Sequence, residues 1–328
     1  MRYYLLRRFF YMVILLLAVS AFSFFVIDLP PGDYLTSYVA SLRDARGAEI
    51  DQAEVEALKQ QYGLDQPVAI RYFKWVRNML RGDFGRSFAY NKEVYGMIRE
   101  RMGVTLFTAL LTLIFTYALA IPIGIYSAMR QYSVGDYFFT LLGFVGLAMP
   151  TFFLALLLMY YINRWTGFSV GGLYSPEFMN QPMSWAKYVD MLKHVAILVI
   201  AVGMAGTASV IRIMRSGVLD EVQKQYVIAA RSKGLSEVRL LLRYPVRLAL
   251  NPIVSTIGWV LPGIVSGATV TAIVMNIPTL GALLYEALLA QDTYVAAACI
   301  MLLSFMTVIG MFISDLLLAW VDPRIRLT

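Results

Sequence analysis

Residues 226–252 read YVIAARSKGLSEVRLLLRYPVRLALNP and form a basic, polar interruption between two long apolar segments. Gly234 stands where a first helix would end, because the residue after a helix often needs the left-handed conformation that glycine adopts at little cost. The hydroxyl of Ser236 can accept from a backbone N–H two or three residues later and so cap a second helix. The stretch therefore predicts two short helices joined at a glycine turn. Its basic residues are Arg231, Lys233, Arg239, Arg243 and Arg247.

The composition indicates a membrane protein with several spans. Of the 328 residues, 59% are hydrophobic, and the mean hydropathy of +0.65 is well above that of a soluble globular domain. The net charge of +7 comes from Lys and Arg that lie mostly in the connections between apolar segments, not on one basic domain. This distribution argues against nucleic-acid binding. Cys299 is the sole cysteine, so no internal disulfide can form.

Six apolar segments are long enough to cross the hydrocarbon core as helices, which takes about 20 residues. They lie at 9–27, 104–129, 138–163, 194–215, 250–275 and 295–320. The first follows a basic N-terminus and contains Ala18-Val19-Ser20, which has the small-residue pattern of a signal-peptide cleavage site. Its apolar run continues to Ile27, however, so we predict a retained span. Pro150 is expected to kink the third segment.

The distribution of Lys and Arg in short loops predicts the orientation. Basic residues cluster at the N-terminus, in the 216–249 connection and in the C-terminal tail, whereas the 276–294 connection has none. Both termini and the 216–249 loop are therefore predicted to be cytoplasmic. The 28–103 segment also holds many basic residues, but segments of that length cross the membrane largely regardless of charge, so we expect it outside.

Residues 68–80 of that outer segment are expected to form an amphipathic helix. Its apolar face would consist of Ala69, Tyr72, Phe73, Val76, Met79 and Leu80. Two roles fit this pattern. The helix could lie on the outer membrane interface, or it could dock an extracytoplasmic partner.

The fifth apolar segment is rich in small and hydroxyl residues and contains Pro252 and Pro262. A broken helix with exposed backbone is tolerated in a membrane only beside protein or a water-filled cavity, so the segment is a candidate translocation pathway. The pathway residues would be Pro262, Gly263, Ser266 and Thr269. Close helix packing through small residues explains the same composition equally well. In the fourth segment, Gly203 and Gly206 are expected to serve such packing.

Ionisable residues are scarce within the apolar segments, although an ion-coupled transporter needs them near mid-membrane. Asp315 is expected to be structural and within reach of Arg324, Arg326 or a neighbouring loop. His194, at the outer border of the fourth segment, is expected to be solvated or hydrogen-bonded. The sequence has no GxxxxGK[ST] phosphate loop and no HExxH motif, and one histidine cannot supply a metal cluster. We therefore expect no catalytic and no metal site.

Three blocks of sequence resemble the permease subunits of ABC importers. Ala229-Ala230, three residues and Gly234 are similar to the cytoplasmic EAA loop of these subunits, and residues 226–250 resemble its version in the peptide and nickel permease family. Ile228 replaces the glutamate that names the loop, a departure that is usual in peptide-type permeases. The other two blocks are GLDQP at 63–67 with GDFG at 82–85 and Ser87, and DPRIRL at 322–327.

The resemblance implies an all-α polytopic membrane protein with six transmembrane helices. The implied fold is the type I ABC importer (MetI-like) fold, with a large extracytoplasmic loop after the first helix. The corresponding division is 1–27 for the cytoplasmic N-terminus and first helix, 28–103 for the outer loop with amphipathic helices, 104–321 for a five-helix core that includes the coupling loop 216–249, and 322–328 for the cytoplasmic tail. The implied location is a bacterial or archaeal cytoplasmic membrane.

The resemblance also implies partners. These are a second homologous permease subunit, two cytoplasmic ATPase subunits, an extracytoplasmic solute-binding protein and the lipid bilayer. The chain itself would carry no cofactor, since ATP and Mg would bind the ATPase subunits. The residues expected to couple to the ATPase are Tyr226, Ala229, Ala230, Arg231, Lys233, Gly234 and Leu235. The residues expected to dock the binding protein are Trp75, Asp83, Phe84 and Gly85.

The function that the resemblance implies is ATP-driven, binding-protein-dependent import of di- or oligopeptides, with this chain forming half of the translocation pathway. Relatives of the same architecture carry oligosaccharides or nickel chelates, so these substrates stay open. An ion-coupled secondary transporter and a membrane enzyme that uses His194 are more distant alternatives.

Overall fold

The computed structural model describes residues 2–27, 66–87 and 89–321. Within these ranges the chain is helical and has no strand beyond an isolated bridge between Arg86 and Glu93. The α-helices in chain order are α1 (Arg2–Ile27), α2 (Val68–Met79), α3 (Val94–Met129), α4 (Val134–Ala148), α5 (Thr151–Thr166), α6 (Trp185–Val222), α7 (Gln225–Ser232), α8 (Glu237–Arg243), α9 (Pro245–Val274), α10 (Leu280–Leu289) and α11 (Thr293–Val321). The all-α prediction is confirmed for the described residues, while the matches at 63–65 and 322–327 lie outside them.

Five helical segments of the described chain are long and apolar enough to cross a membrane: α1, α3, α6, α8 continued by α9, and α11. The third predicted span, 138–163, instead forms two helices, α4 and α5, which are bent by 108° and meet this criterion only together. Pro150 explains the break, because the residue before a proline avoids the helical region and Met149 is extended at φ −89° and ψ 134°. The kink predicted at Pro150 is thus a full helix break.

One of two compact units comprises, among the described residues, 2–8, 105–278 and 307–321. α6 is the most buried of its long helices and packs against α4, α5 and α9. Small residues make the contacts close, because a Cβ on Gly203 would lie 2.5 Å from Phe115 and one on Gly146 would lie 3.0 Å from the carbonyl oxygen of Met204. This confirms the packing role predicted for Gly203.

Asp315 of this unit has a basic neighbour, but not one of those that the sequence suggested. The Nη1 of Arg8 on α1 lies 3.1 Å from the Oδ2 of Asp315 on α11. The ion pair therefore joins the first and last described helices within the unit. The basic residues of the tail lie outside the described residues.

The described part of the other unit comprises residues 9–27, 66–87, 89–104 and 279–306. Aromatic side chains form part of its core, since the ring of Phe24 on α1 lies 5.6 Å from that of Tyr72 and 5.5 Å from that of Trp75, both on α2. The apolar face predicted for residues 68–80 is therefore partly wrong. Trp75 is 3% exposed, whereas Phe73 and Leu80 are 70% and 80% exposed. Residues three or four apart share a helix face, so Trp75 joins Tyr72 inside while Phe73 points away.

Candidate functional site

The candidate site is the 223–244 segment, which contains α7, α8 and the turns on either side of them. Side chains from both short helices form a small core of their own. Val227 and Leu240 are fully buried, and Ala230 and Leu241 are each 7% exposed. Because the two helices bury their apolar residues against each other, the segment is a folded element and not a loose loop.

Gly234 ends α7 as the sequence predicts. Its φ of +78° lies in the left-handed region, and its N–H donates to the carbonyl oxygen of Arg231 at 3.0 Å. A Cβ at this position would find no atom within 4 Å, so the requirement for glycine is conformational and not steric. The cap predicted at Ser236 is only half right. Ser236 occupies the N-cap position of α8 in extended conformation, but its side chain makes no capping hydrogen bond.

Polar contacts fix the ends of α7. The guanidinium of Arg231 donates to both carboxylate oxygens of Glu237 on α8, at 2.6 and 3.2 Å. At the other end, the hydroxyl of Tyr226 and the ammonium of Lys224 both donate to Glu221 at the end of α6. Burial, together with the hydrogen bond to Glu221, raises the pKa of the Tyr226 hydroxyl well above its usual value. Tyr226 is therefore neutral and remains a donor at physiological pH.

The outer face of α7 exposes aliphatic surface. Ile228 is 51% exposed, and Ala229 and Ser232 beside it are also exposed, whereas Ala230 points inward against α8. Of the two alanines that the sequence assigned to the partner interface, only Ala229 is available to a partner. Ile228 was not among the predicted coupling residues, because in the sequence it stood out only as a substitution for glutamate.

The predicted pathway residues lie on α9, which is one continuous helix despite containing Pro252 and Pro262. The broken helix expected there is therefore wrong. The hydroxyl of Ser266 donates to the carbonyl oxygen of Gly263 at 3.3 Å, and that of Thr269 to Val265 at 3.3 Å. Such bonds within the helix satisfy the hydroxyls without breaking it.

One face of α9 is nevertheless open within its unit. Gly263 and Ser266 are exposed, and a Cβ added at Gly263 would find no atom within 4 Å. Trp259 and Val270, one helical turn before and after them, are 51% and 52% exposed. In this chain the small residues at 263 and 266 therefore line an open surface and do not form a tight helix contact.

The predicted docking residues divide into buried and accessible ones. Trp75 lies inside its unit, so we remove it from the docking surface. Asp83 is exposed, and its Oδ1 accepts from the N–H of Gly85 at 2.9 Å. Gly85 has a φ of +86° and faces the ring of Tyr294, which a Cβ would approach to 3.6 Å. Phe84 is half-buried in the core of the unit.

Asp292 anchors the loop that carries these residues. Its Oδ2 accepts from the hydroxyl of Ser87 at 2.6 Å and from the N–H of Ala89 at 3.1 Å, while its Oδ1 accepts from the N–H of Val295 at 3.3 Å. Asp292 and Ser87 are both 1% exposed. Buried polar groups that satisfy one another hold a loop in place, because exposing or separating them leaves donors without acceptors.

His194 is buried and hydrogen-bonded, with no exposed side-chain surface. Its Nε2 lies 3.2 Å from the hydroxyl oxygen of Ser175, while that hydroxyl donates to the Oδ1 of Asp190 at 2.7 Å. A serine nucleophile has to give its proton to the imidazole. Here the carboxylate takes the hydroxyl hydrogen bond, so the trio is not arranged for nucleophilic catalysis. We find no metal-binding cluster among the described residues either.

Comparisons with known proteins place this architecture in a family. The family described as "Binding-protein-dependent transport system inner membrane component" matches residues 120–327, and its N-terminal counterpart, "Binding-prot-dependent transport system membrane comp, N-term", matches residues 1–109. The chain belongs to this family. It is therefore a permease subunit of an ABC importer and a multi-pass protein of the inner membrane. The predicted family and fold class are confirmed.

Several relatives of this permease resemble it from end to end. It is 32% identical over 325 residues to the oligopeptide transport system permease protein AppB of Bacillus subtilis (strain 168). The match covers 98% of this chain and 99% of the relative. It is 28% identical over 326 residues to the dipeptide transport system permease protein DppB of Lactococcus lactis subsp. cremoris (strain MG1363), covering 99% of both chains. It is 27% identical over 355 residues to the peptidoglycan transport system permease protein YejB of Agrobacterium fabrum (strain C58 / ATCC 33970), covering 98% of this chain and 97% of the relative.

Proposed function

We propose that this permease imports peptides as one of two homologous membrane subunits driven by two cytoplasmic ATPases, and that the 223–244 segment transmits their motion. The observation that carries the proposal is the folded 223–244 segment, with its own core and an open aliphatic face at Ile228 and Ala229. An exposed Ile beside an Ala on a short helix suits insertion into an apolar groove of a partner. ATP and Mg would bind the ATPase subunits, and this chain would supply no cofactor.

The segment has the rigidity that a lever needs. A partner can shift a conformational equilibrium only if it interacts differently with the two states. If the 223–244 segment bent when the partner moved, the two states would no longer differ in their contacts with the partner. In this chain the left-handed turn at Gly234, the Arg231–Glu237 pair and the buried Val227 and Leu240 hold α7 against α8. Because packed interfaces have discrete arrangements, a small displacement of α7 can switch the longer helices between inward and outward openings.

Charge favours an acidic partner surface. The 223–244 segment has five basic residues against one acidic residue. Lys233 is exposed beside the turn, and Arg231 keeps exposed surface while it pairs with Glu237. Such charges steer association and set its register more than they add affinity. We therefore assign electrostatic guidance to Lys233 and Arg231, and close contact to Ile228 and Ala229.

The open face of α9 is our candidate for this chain's part of the pathway. Gly263 and Ser266 leave space there, and Pro262 and Thr269 flank them on the same helix. Small residues leave room for a peptide, and Trp259 adds an aromatic surface at one end of the strip. The homologous subunit would supply the facing half.

The proposed topology has both termini and the 223–244 segment in the cytoplasm, and the 28–103 segment outside. The division into 1–27, 28–103, 104–321 and 322–328 follows from it. On the outer side, the loop anchored by Asp292 presents Asp83, with Phe84 and Gly85 behind it, to the solute-binding protein.

The test of coupling uses Ile228→Asp in the assembled transporter. A charge on the apolar contact is expected to abolish co-purification of the ATPase subunits and binding-protein-stimulated ATP hydrolysis. Val134→Asp is the matched control, since Val134 is an 87% exposed aliphatic residue at the start of α4 and lies outside the segment. Normal ATPase recovery with Ile228→Asp, or an equal loss with Val134→Asp, would contradict the assignment of α7.

The peptide assignment rests on the transport systems to which the relatives belong, and it has its own test. A ligand that binds only the folded state raises the melting temperature, so the cognate solute-binding protein can be screened with peptides, oligosaccharides and nickel chelates. We expect stabilisation by peptides. Stabilisation by oligosaccharides or nickel chelates alone would keep the importer mechanism and overturn the substrate class.

A further inference from the structure

A pocket lies between α4 and α6, beyond the point where the helices touch. A Cβ on Gly143 would lie 3.3 Å from the Cβ of Ala208, which shows how closely the two helices approach there. The pocket begins at these residues, extends toward the start of α4 and has a volume of about 230 Å³. An ion pair bridges its far side, with the Nη2 of Arg215 3.1 Å from the Oδ2 of Asp136.

The pocket carries more positive than negative charge. Asp136 is its sole acidic lining residue, and its Oδ2 also accepts from the N–H of Tyr132 at 3.0 Å. Two arginines line the opposite wall on α6. Arg215 is engaged by Asp136, whereas the exposed Arg212 forms no ion pair or hydrogen bond with the described residues. The pocket wall therefore presents a guanidinium that no carboxylate neutralises, and such a group is suited to charge-assisted hydrogen bonds with an anion.

The position of the pocket favours a lipid as the source of that anion. Arg215 precedes the end of α6 by seven residues, or roughly 10 Å along the helix axis, so the pocket lies at the end of the unit from which the 223–244 segment emerges. Tyr132 and Tyr137 at its mouth are 70% and 62% exposed, as is usual for aromatic residues at a membrane interface. Beyond them, α4 exposes apolar side chains over its full length, where acyl chains can lie. These side chains include Phe138, Leu141, Phe144 and Val145.

We propose that this pocket binds the phosphate of an anionic phospholipid through Arg212 and Arg215. Basic pockets between transmembrane helices bind such headgroups. The volume is below the ~300–1,000 Å³ of sites that enclose a drug-sized ligand, so it suits a headgroup whose acyl chains stay outside. The bound lipid would tie α4 to α6, the helix that continues into the 223–244 segment.

The test measures lipid retained by the purified, assembled transporter. The complex is reconstituted with phosphatidylglycerol and phosphatidylcholine, extracted in mild detergent, and analysed by native mass spectrometry. The wild type should retain phosphatidylglycerol in preference to phosphatidylcholine. Arg212→Gln should weaken that retention by roughly tenfold, because it removes charge-assisted hydrogen bonds to the phosphate. Arg164→Gln is the matched control, since Arg164 is an exposed arginine on α5 that does not line the pocket.

Each other outcome overturns the proposal in its own way. Equal phosphatidylglycerol retention by the wild type and Arg212→Gln removes the pocket as the site. Loss of retention when inorganic phosphate is added at millimolar concentration, with no preference between lipids, assigns the site to free phosphate. Reduced recovery of the second permease subunit with Arg212→Gln, without a change in lipid, shows that a protein surface covers the pocket.

Discussion

Substitution of Gly234 is the sharpest test of the role proposed for the 223–244 segment, because the energetic cost of backbone strain can be separated there from that of a steric clash. The φ of Gly234 is +78°, and a Cβ there would find nothing within 4 Å. A Cβ at this position therefore costs free energy through the backbone conformation and not through a clash. A non-glycine L-residue in the left-handed region costs roughly 1–2 kcal/mol, Asn costs less, and a β-branched residue costs most.

These energies predict how strongly each substitution at position 234 reduces transport. A cost of roughly 1–2 kcal/mol reduces the population of the correctly turned segment by about 5- to 30-fold relative to the alternatives. Uptake and ATP hydrolysis should therefore fall in the order Gly, Asn, Ala, Val at this position. Gly234→Val should abolish transport while leaving membrane insertion intact, because the turn lies outside the cores of both units.

The assay is ATP-dependent peptide uptake by proteoliposomes that contain the complete transporter, with recovery of all subunits measured in parallel. Gly103→Val is the matched control, since Gly103 also has open space around its Cβ position but lies within α3 and has no positive φ. Normal uptake by Gly234→Val would refute the lever. Loss of uptake by Gly103→Val to the same extent would show that the assay reports general damage.

Three further predictions address other parts of the chain. Asp292→Ala leaves the buried hydroxyl of Ser87 without its acceptor, which costs about 1–3 kcal/mol of stability. Titration of the binding protein onto the reconstituted complex should therefore show weaker affinity. Unchanged affinity would show that this loop does not dock the binding protein. Gly263→Leu should fill the open face of α9 and block peptide uptake. The melting temperature should stay the same or rise, because leucine favours helix by up to ~1 kcal/mol over glycine. Full uptake would show that this face is not part of the pathway. His194→Gln should keep peptide uptake, because the hydrogen bonds from Ser175 to its carboxylate partner persist; an assembled but inactive variant would show that the imidazole has a role beyond structure.

The positions of the membrane helices could be predicted from the sequence because each needs a long apolar run. Their ends could not. α3 begins at Val94 and not at 104, and α6 begins at Trp185 and not at 194. Backbone hydrogen bonding continues through polar residues after the apolar run stops, and a local cap sets the end. For α6 that cap is the hydroxyl of Ser184, which accepts from the N–H of Lys187 at 3.2 Å.

The glycine turn could also be predicted, whereas the face that α7 presents could not. The need for a left-handed residue at Gly234 is local and visible in sequence. The choice between Ala229 and Ala230 as the outward residue depends on which side packs against α8. Once Val227 is buried, Ala230 lies three residues further on the same face, and Ile228 is left outside.

Contacts between distant parts of the chain left no sequence signal. Ser87 and Asp292 are 205 residues apart, and neither lies in a pattern that pairs it with the other. Trp75 was expected to dock the binding protein, but its ring packs against that of Phe24 on α1. Such pairings follow from the packing of whole helices, so they become visible only in the folded unit.

The most direct test of the central claim is peptide uptake into sealed proteoliposomes that contain this permease, its homologous partner, both ATPases and the binding protein. We expect accumulation of a labelled oligopeptide that requires ATP and the binding protein, persists when ion gradients are dissipated, and disappears with Ile228→Asp. Accumulation that needs no ATP and collapses with the ion gradient would contradict the account.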